Sequence, residues 1–295
     1  MDAEPGSTVP RRQLGRYLRR LREQAGVTVK AAAAELECSI QKLWRIEKGA
    51  VPVRGADVKV LCERYGATEE MTQALVALAK ETKAKGWWHS YGDVVPRWFE
   101  MYVGMEAAAS RLRMYEPSLV PGLLQSGGYA DAAIRADQPG MSDEERRRRV
   151  DLRAERQSLL ARPFPEPPAL EAIVCETVLR RDPGPPGVMA RQLAYLQKAG
   201  EQPHISIRVL PLAIGLHRAS VAGAFTILEF PSEGNERREP PTVYSESLTG
   251  AIYLDKTHEI EAYEEVWVSL TASALSEGDS AVMIDSLIGE LNRSD

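Results

Sequence analysis

Four side chains that can bind nucleic acid follow one another at i, i+3, i+4 and i+7: Gln41, Trp44, Arg45 and Lys48. On a helix this spacing puts all four on one side. Gln and Arg can make paired hydrogen bonds to base edges in the major groove, whereas Lys binds phosphate as a point charge. The pattern predicts that Gln41 and Arg45 contact bases and that Lys48 contacts the DNA backbone. Two interpretations of Trp44 stay open, stacking on a sugar or base and packing against another domain.

The helix that must position these side chains has recognisable ends. Ser39 can cap its N-terminus, and Gly49 ends it. Leu43 and Ile46 fall on the opposite side, where they can pack against a core. Ile40 lies at the edge of the polar face, within reach of a thymine methyl group. The sequence therefore predicts a helix that packs with one side and contacts DNA with the other.

Two further helices are predicted before this one. Apolar residues recur at helical spacing over residues 11–25, and Thr28 can cap a second helix through the sequence VKAAAAEL. A short turn joins the second helix to the third, which makes a helix-turn-helix unit. Arg54, just beyond the third helix, is predicted to hold a phosphate. The full set of predicted DNA contacts is Thr28, Lys30, Ser39, Ile40, Gln41, Lys42, Trp44, Arg45, Lys48 and Arg54.

The length of 295 residues suits two domains. Apolar residues after Gly49 supply two more helices, so residues 11–83 are predicted to form a five-helix helix-turn-helix domain. Residues 1–10 are predicted to be a disordered tail. Residues 84–295 are predicted to form a second domain for regulation and dimerisation.

Charge is distributed unevenly between these two parts. The whole chain has a formal charge of −5, yet residues 11–54 contain eleven Lys and Arg against four Glu, a local charge of +7. A basic module joined to an acidic remainder indicates an anionic partner, with nucleic acid as the first candidate. A solvated, Arg-rich helix face is the alternative that charge alone leaves open.

The run LRRLREQAGVTVKAAAAELECSIQKLWRIEKG resembles the Xre, or lambda-repressor-like, helix-turn-helix family. In that family a Thr opens helix two, a small residue lies inside it, a Ser opens helix three and RIExG closes it. The matching residues here are Thr28, Ala33, Ser39, Arg45, Ile46, Glu47 and Gly49. Val29 stands where the family often has a Gln that contacts the DNA backbone. The resemblance thus implies double-stranded DNA as the partner, with one phosphate contact fewer.

Aromatic residues crowd the sequence directly after the first domain. On one interpretation they line a pocket for a small ligand, formed by Trp87, Trp88, Tyr91, Trp98 and Tyr102. On the other they belong to a core, or to an interface with the first domain. Aromatic residues at this density are more often core, and the sequence favours that second interpretation.

The rest of the chain alternates helix and strand patterns. One helix is predicted through WFEMYVGMEAAASRLR, and another begins at a capping box from Ser142 to Glu145. Residues 146–149 are all Arg but interleave with acidic neighbours, which favours a solvated face over a nucleic-acid patch. The β-type segments are ALEAIVCE, ISIRVLP, AFTILEF, TVYSES and AIYL. The predicted fold class is a mainly α helix-turn-helix domain followed by an α+β domain, a small sheet flanked by helices.

This second half resembles the long C-terminal domain of an actinobacterial regulator family typified by WhiJ. The similar stretches include PRWFEMYVGMEAAASRLRMYEPSLVPGLLQSGGYA and VYSESLTGAIYL. The resemblance implies a regulator of development or antibiotic production that is described as antitoxin-like. Members are often encoded beside a small acidic partner protein. The resemblance gives the domain neither catalytic residues nor a biochemical role.

No motif in the chain indicates catalysis, a metal or a cofactor. The four histidines have no metal-ligand spacing with one another or with the three cysteines, and no phosphate-binding glycine loop or nucleophile motif occurs. Apolar stretches stay far below the roughly 18 residues of a membrane span, and no secretory signal is visible. We therefore expect a cofactor-free, non-enzymatic protein in the cytoplasm at the nucleoid, without a membrane partner.

Two functions fit these features. The first is a transcription regulator, a repressor for example, that binds DNA as a homodimer because two helices in a groove cover few bases. Its second domain would sense a small-molecule effector or a small acidic partner protein. The alternative is an antitoxin-like interaction module that binds a protein instead of DNA. Val29 and Trp44 favour the alternative slightly, whereas the +7 segment favours DNA more strongly.

Overall fold

The structure is a computed structural model that describes residues 8–49, 51–83, 97–231 and 240–294. These residues divide into two compact units. Described residues up to Ala108 belong to the first unit, and those from Ala109 onward belong to the second. Each unit buries its own set of apolar side chains.

The first unit is helical throughout its described part. Its helices are α1 (Thr8–Gln24), α2 (Val29–Glu35), α3 (Ile40–Glu47), α4 (Gly55–Tyr65), α5 (Glu69–Lys83) and α6 (Arg97–Ala108). The predicted helical helix-turn-helix region is confirmed. Helix α1 begins at Thr8, inside the range expected to be a tail. The segment 84–96, where the predicted boundary between the domains falls, lies outside the described residues.

Helix α1 is the central element of the first unit, since it contacts α3, α4, α5 and α6. Leucines of four of these helices are almost completely buried, among them Leu18 of α1, Leu43 of α3, Leu61 of α4 and Leu75 of α5. Burial of a leucine side chain stabilises a fold by about 1.5–3 kcal/mol. Only the apolar side of α3 packs into this core, so its opposite side remains on the surface.

The second unit is built on a six-stranded mixed sheet. Its strands are β1 (Arg111–Glu116), β2 (Ala169–Cys175), β3 (Ile205–Leu210), β4 (Phe225–Glu229), β5 (Thr242–Ser247) and β6 (Gly250–Leu254). Their order across the sheet is β3-β2-β1-β4-β5-β6. Strands β1, β2 and β3 are parallel, while β4, β5 and β6 pair in antiparallel fashion. The predicted α+β class is confirmed.

Helices connect the strands and cover the sheet. They are α7 (Gly127–Asp137), α8 (Asp143–Gln157), α9 (Glu176–Arg180), α10 (Val188–Gly200), α11 (Ala219–Ala222), α12 (Thr257–Ser273) and α13 (Glu277–Ser294). Parallel strands need a crossover connection, which α7 and α8 provide from β1 to β2 and α9 and α10 from β2 to β3.

Both faces of the sheet are buried at its central strands. On one face Tyr115, Ile173 and Phe225 pack with Trp267 and Leu270 of α12. Successive side chains of a strand point to opposite faces. Met114, which precedes Tyr115 on β1, and Leu112 point to the other face and are buried as well, so that face of β1 is also covered.

The helix predicted through residues 98–113 is confirmed to Ala108 but wrong over its last five residues. It ends at Ala108, and Arg111–Glu116 forms β1, which lies between β2 and β4. Arg, Leu and Met are strong helix formers, so local propensity favoured a longer helix. Pairing with a strand on each side overrides that propensity. The alternation of Leu112 and Met114 with arginines was the strand signal in the sequence.

Candidate nucleic-acid interface

Side-chain caps start both helices of the helix-turn-helix unit. The Thr28 hydroxyl accepts a hydrogen bond from the backbone N–H of Ala31 at 3.2 Å, and the Ser39 hydroxyl accepts one from Lys42 at 3.1 Å. In the turn between the helices Glu37 adopts a left-handed conformation, with φ at +47°. The helices α2 and α3 therefore begin at the capping residues predicted from the sequence.

The inward side of α3 is held by apolar contacts and by one ion pair. Leu43 and Ile46 are buried, and so is Glu47, whose residue surface is only 6% exposed. The guanidinium of Arg22 on α1 forms a bidentate ion pair with this carboxylate. Its Nε donates to Oε1 at 2.6 Å and its Nη2 donates to Oε2 at 3.0 Å. The hydrogen bond to Glu47 raises the pKa of Arg22 above its usual value. A bidentate ion pair of this kind fixes the orientation of α3 about its own axis.

A close backbone contact brings α1 against the end of α3. A Cβ atom added at Gly15 would lie 2.5 Å from the carbonyl oxygens of both Ile46 and Glu47. Only glycine fits at this point of α1. Sequence reasoning missed Gly15 and Arg22 as positioning residues. A glutamate at the inward end of α3 was the available signal, because a buried carboxylate needs a cation.

The outward side of α3 presents the residues predicted to contact DNA. Exposed side chains there are Ser39, Ile40, Gln41, Lys42, Trp44, Arg45 and Lys48. Trp44 is the most exposed apolar side chain of the helix, at 54%. Over the described residues, no side-chain hydrogen bond or ion pair ties down Gln41, Arg45 or Lys48. Their polar groups remain available to a partner.

The electrostatics of this face are cationic. Lys42, Arg45 and Lys48 lie on or directly after α3, and Lys30 is exposed on α2. Glu47 is the one acidic residue in α3, and it turns inward to Arg22. The exposed side of α3 therefore combines positive charge with two side chains, of Gln and Arg, that can pair with base edges.

Arg54 lies just before α4 and is exposed, but it has an internal partner. Its Nε and Nη2 donate to the two carboxylate oxygens of Asp57 at 3.0 and 3.1 Å. A DNA phosphate would have to compete with this carboxylate for the guanidinium. The phosphate contact predicted at Arg54 would therefore require this guanidinium to give up hydrogen bonds to Asp57.

Most residues of the predicted aromatic pocket lie outside the described part of the chain. Trp87, Trp88 and Tyr91 lie outside the described residues, as does the side chain of Trp98. Tyr102 is 4% exposed on α6, and its ring centroid lies 5.6 Å from that of Phe99. Tyr102 therefore belongs to packed surroundings in the first unit, and the pocket stays a prediction.

The chemistry available elsewhere in the described ranges is limited. No cluster of three or more His, Cys, Asp or Glu side chains there is arranged to hold a metal ion. Burial raises the pKa of the Cys62 thiol to about 11 and also raises that of Cys175. Both are therefore thiols, not nucleophilic thiolates, at neutral pH. Among the helices of the described part, none has the length and apolar character needed to cross a bilayer.

Comparison with known proteins finds two matches to protein families. Residues 13–75 match a family described as a helix-turn-helix domain. Residues 99–286 match one described as a domain of unknown function, DUF5753. No curated protein and no solved structure gives a significant match. The second match begins inside α6, a helix of the first unit that packs against α1.

Proposed function

Because the chain belongs to the DUF5753 family and carries a helix-turn-helix domain, we propose that it is a sequence-specific DNA-binding transcription regulator. One observation carries the proposal. The exposed side of α3 offers unpaired Gln41, Arg45 and Lys48 side chains, while a buried ion pair with Arg22 fixes the inward side. A rigid helix with polar groups free on one side suits the major groove, where recognition helices of this kind lie.

Each side chain has its own role in the proposal. Gln41 and Arg45 contact base edges, and Ile40 contacts a thymine methyl group. Lys48 holds a phosphate, as does Arg54 more weakly. The exposed Thr28, Lys30, Ser39 and Lys42 complete the backbone contacts near the ends of α2 and α3.

The proposed base contacts are tested by comparing specific with random DNA. A specific site is first selected from genomic fragments with the purified protein. Gln41→Ala or Arg45→Ala should then cost about 1–3 kcal/mol of binding free energy on that site and little on random DNA. Arg135→Ala, which removes an exposed arginine from the second unit, is the control and should change neither. Equal losses of binding free energy on the selected site and on random DNA would exclude base contacts by Gln41 and Arg45.

The proposed phosphate contact has a different signature. Lys48→Ala should weaken binding to both DNAs alike and lower the slope of log K against log salt by about one unit. Fluorescence anisotropy at several salt concentrations measures both quantities. An unchanged salt slope would contradict the phosphate contact.

We also propose a narrower identity for the regulator. Its first domain belongs to the Xre type, its family is the WhiJ-like one, and it acts as a homodimeric repressor at the nucleoid in the cytoplasm. Its second domain senses a small molecule or a small acidic partner protein. The support is the match of Thr28, Ser39 and the RIExG run to the Xre pattern, together with the small number of bases that one α3 can cover.

An alternative is an antitoxin-like interaction module, which the 54% exposure of Trp44 favours. Exposed tryptophans are common anchors in protein interfaces. Selection of genomic fragments separates the two functions. A recurring sequence motif among the bound fragments supports the regulator, and the absence of any motif supports the interaction module.

A further inference from the structure

A cavity of about 440 Å³ lies within the second unit, between the sheet and α12. The strand register pairs Glu171 with Ser206 and Ile173 with Arg208. These four residues line the floor, while Trp267 and Thr271 of α12 line the wall. Glu277, the first residue of α13, also belongs to the lining. The cavity thus combines the apolar Trp267 and Ile173 with several polar side chains, and polar groups in a pocket fix the orientation of a small ligand.

Thr271 contributes a polar atom that lacks a partner. Its side-chain oxygen is buried and makes no hydrogen bond within the described part of the chain. A buried hydroxyl without a partner costs stability. Because Thr271 lines the cavity, rotation of its side chain toward the cavity lets a bound molecule supply the missing hydrogen bond.

Arg208 provides little attraction for an anion. Its Nε donates to the carbonyl of Leu275 at 2.7 Å, and its Nη2 donates to the carbonyls of Thr271 and Ala274 at 2.9 and 2.8 Å. The guanidinium therefore neutralises the negative end of α12. Most of its donors are occupied by the backbone, so an anionic ligand would find few free ones.

Carboxylates outnumber cations in the cavity lining. Glu277 accepts a hydrogen bond from the Ser206 hydroxyl, and Glu171 accepts one from Arg111 at 2.6 Å. Glu201 also lines the cavity and is exposed. An ionised carboxylate can accept about four hydrogen bonds, so acceptors remain at each of these groups. The lining is negative and rich in acceptors.

We propose that this cavity binds a small organic amine in its ammonium form. An ammonium group donates three hydrogen bonds and accepts none, which matches an acceptor-rich lining. It donates to the Thr271 hydroxyl and to the Glu277 carboxylate, while its hydrocarbon part contacts Trp267 and Ile173. The proposal specifies the ligand for the sensing role given to the second domain under the proposed function. A regulatory effect of the amine rests on that proposed function, whereas binding of the amine does not.

Three probes of equal size and different charge test the proposal. Calorimetric titration of the full chain compares phenethylamine with 2-phenylethanol and phenylacetate, and then with shorter primary amines down to ethylamine. We expect at least one amine to bind at least tenfold more tightly than the alcohol and carboxylate of matching carbon skeleton. Equal binding of all three charge types, or saturation by none of the amines, would overturn the proposal. The assay contains no DNA, so its failure leaves the DNA-binding proposal standing.

Matched substitutions locate the binding. Thr271→Val and Glu277→Gln should each weaken amine binding about tenfold. Thr257→Val and Glu265→Gln make the same changes at exposed positions of α12 outside the cavity lining, and neither should alter binding. Thr271→Val should also raise the melting temperature, because it removes a buried hydroxyl without a partner. Wild-type affinity in both cavity variants would exclude this site.

Discussion

At the scale of single residues, the ion pair between Arg22 and Glu47 has the largest expected effect on the first unit. Both residues are buried, at 7% and 6% exposure. Arg22→Met should lower the free energy of unfolding by about 3–5 kcal/mol, because it leaves an uncompensated buried carboxylate. The double variant Arg22→Met with Glu47→Leu should recover most of that loss. Urea unfolding measures both, and a single variant as stable as the wild type would contradict the buried pair.

Glu116, at the end of β1, should make the stability of the second unit depend on pH. The pKa of the Glu116 carboxyl is raised from 4.5 to about 8, mainly by burial and secondly by the nearby carboxylate of Glu246. Between these values the folded protein holds a proton that the unfolded chain releases, so stability should fall as pH rises through this range. Glu116→Gln should reduce this fall and stabilise the protein more at pH 9 than at pH 5.

Urea unfolding at pH 5, 7 and 9 measures the effect of Glu116. The pKa of Glu246 is also raised by burial, so some pH dependence should persist in the variant. Glu155→Gln, at an exposed position of α8, is the control and should leave the profile unchanged. Parallel profiles for Glu116→Gln and the wild type would show that Glu116 titrates normally.

At the scale of elements, the contact between α1 and α3 decides where the DNA-contacting side chains lie. Gly15→Ala should push the end of α3 away, since the added Cβ would lie 2.5 Å from two carbonyl oxygens. Overpacking typically costs about 1–3 kcal/mol, more than the roughly 1 kcal/mol that Ala gains over Gly in a helix. We expect lower stability and weaker binding to the selected DNA site.

Gly127→Ala is the matched control for this prediction. Gly127 begins α7, and a Cβ atom added there would meet no heavy atom within 4 Å. The control should be neutral or slightly stabilising, as measured by thermal unfolding. If Gly15→Ala behaves in the same way, α1 and α3 do not approach each other this closely.

At the scale of the whole molecule, the proposed homodimer predicts the form of the operator. Helix α3 has eight residues, so one copy covers few base pairs. The footprint should show two related half-sites about 10 base pairs apart, or a multiple of that spacing. Sedimentation of the full chain at micromolar concentration should give a dimer. A monomer both alone and on its DNA site would exclude this arrangement.

The sequence by itself determined the local features of the candidate interface. Thr28 and Ser39 cap their helices as predicted, because a cap depends on a hydrogen bond across three residues. Helical periodicity likewise separated the buried Leu43 and Ile46 from the exposed Arg45. Five of the six strands also coincide with predicted segments, since alternation of apolar residues is visible in a short window.

Only the tertiary structure decided the features that join distant parts of the chain. Strand β1 pairs with β2, about 60 residues further on, and with β4, so its helix-forming residues could not reveal it. The partner of Glu47 lies 25 residues away on α1, and the cavity proposed to bind an amine combines residues of β2, β3, α12 and α13. Propensity and periodicity act over a few residues, whereas burial, ion pairing and cavity shape depend on which segments the fold brings together.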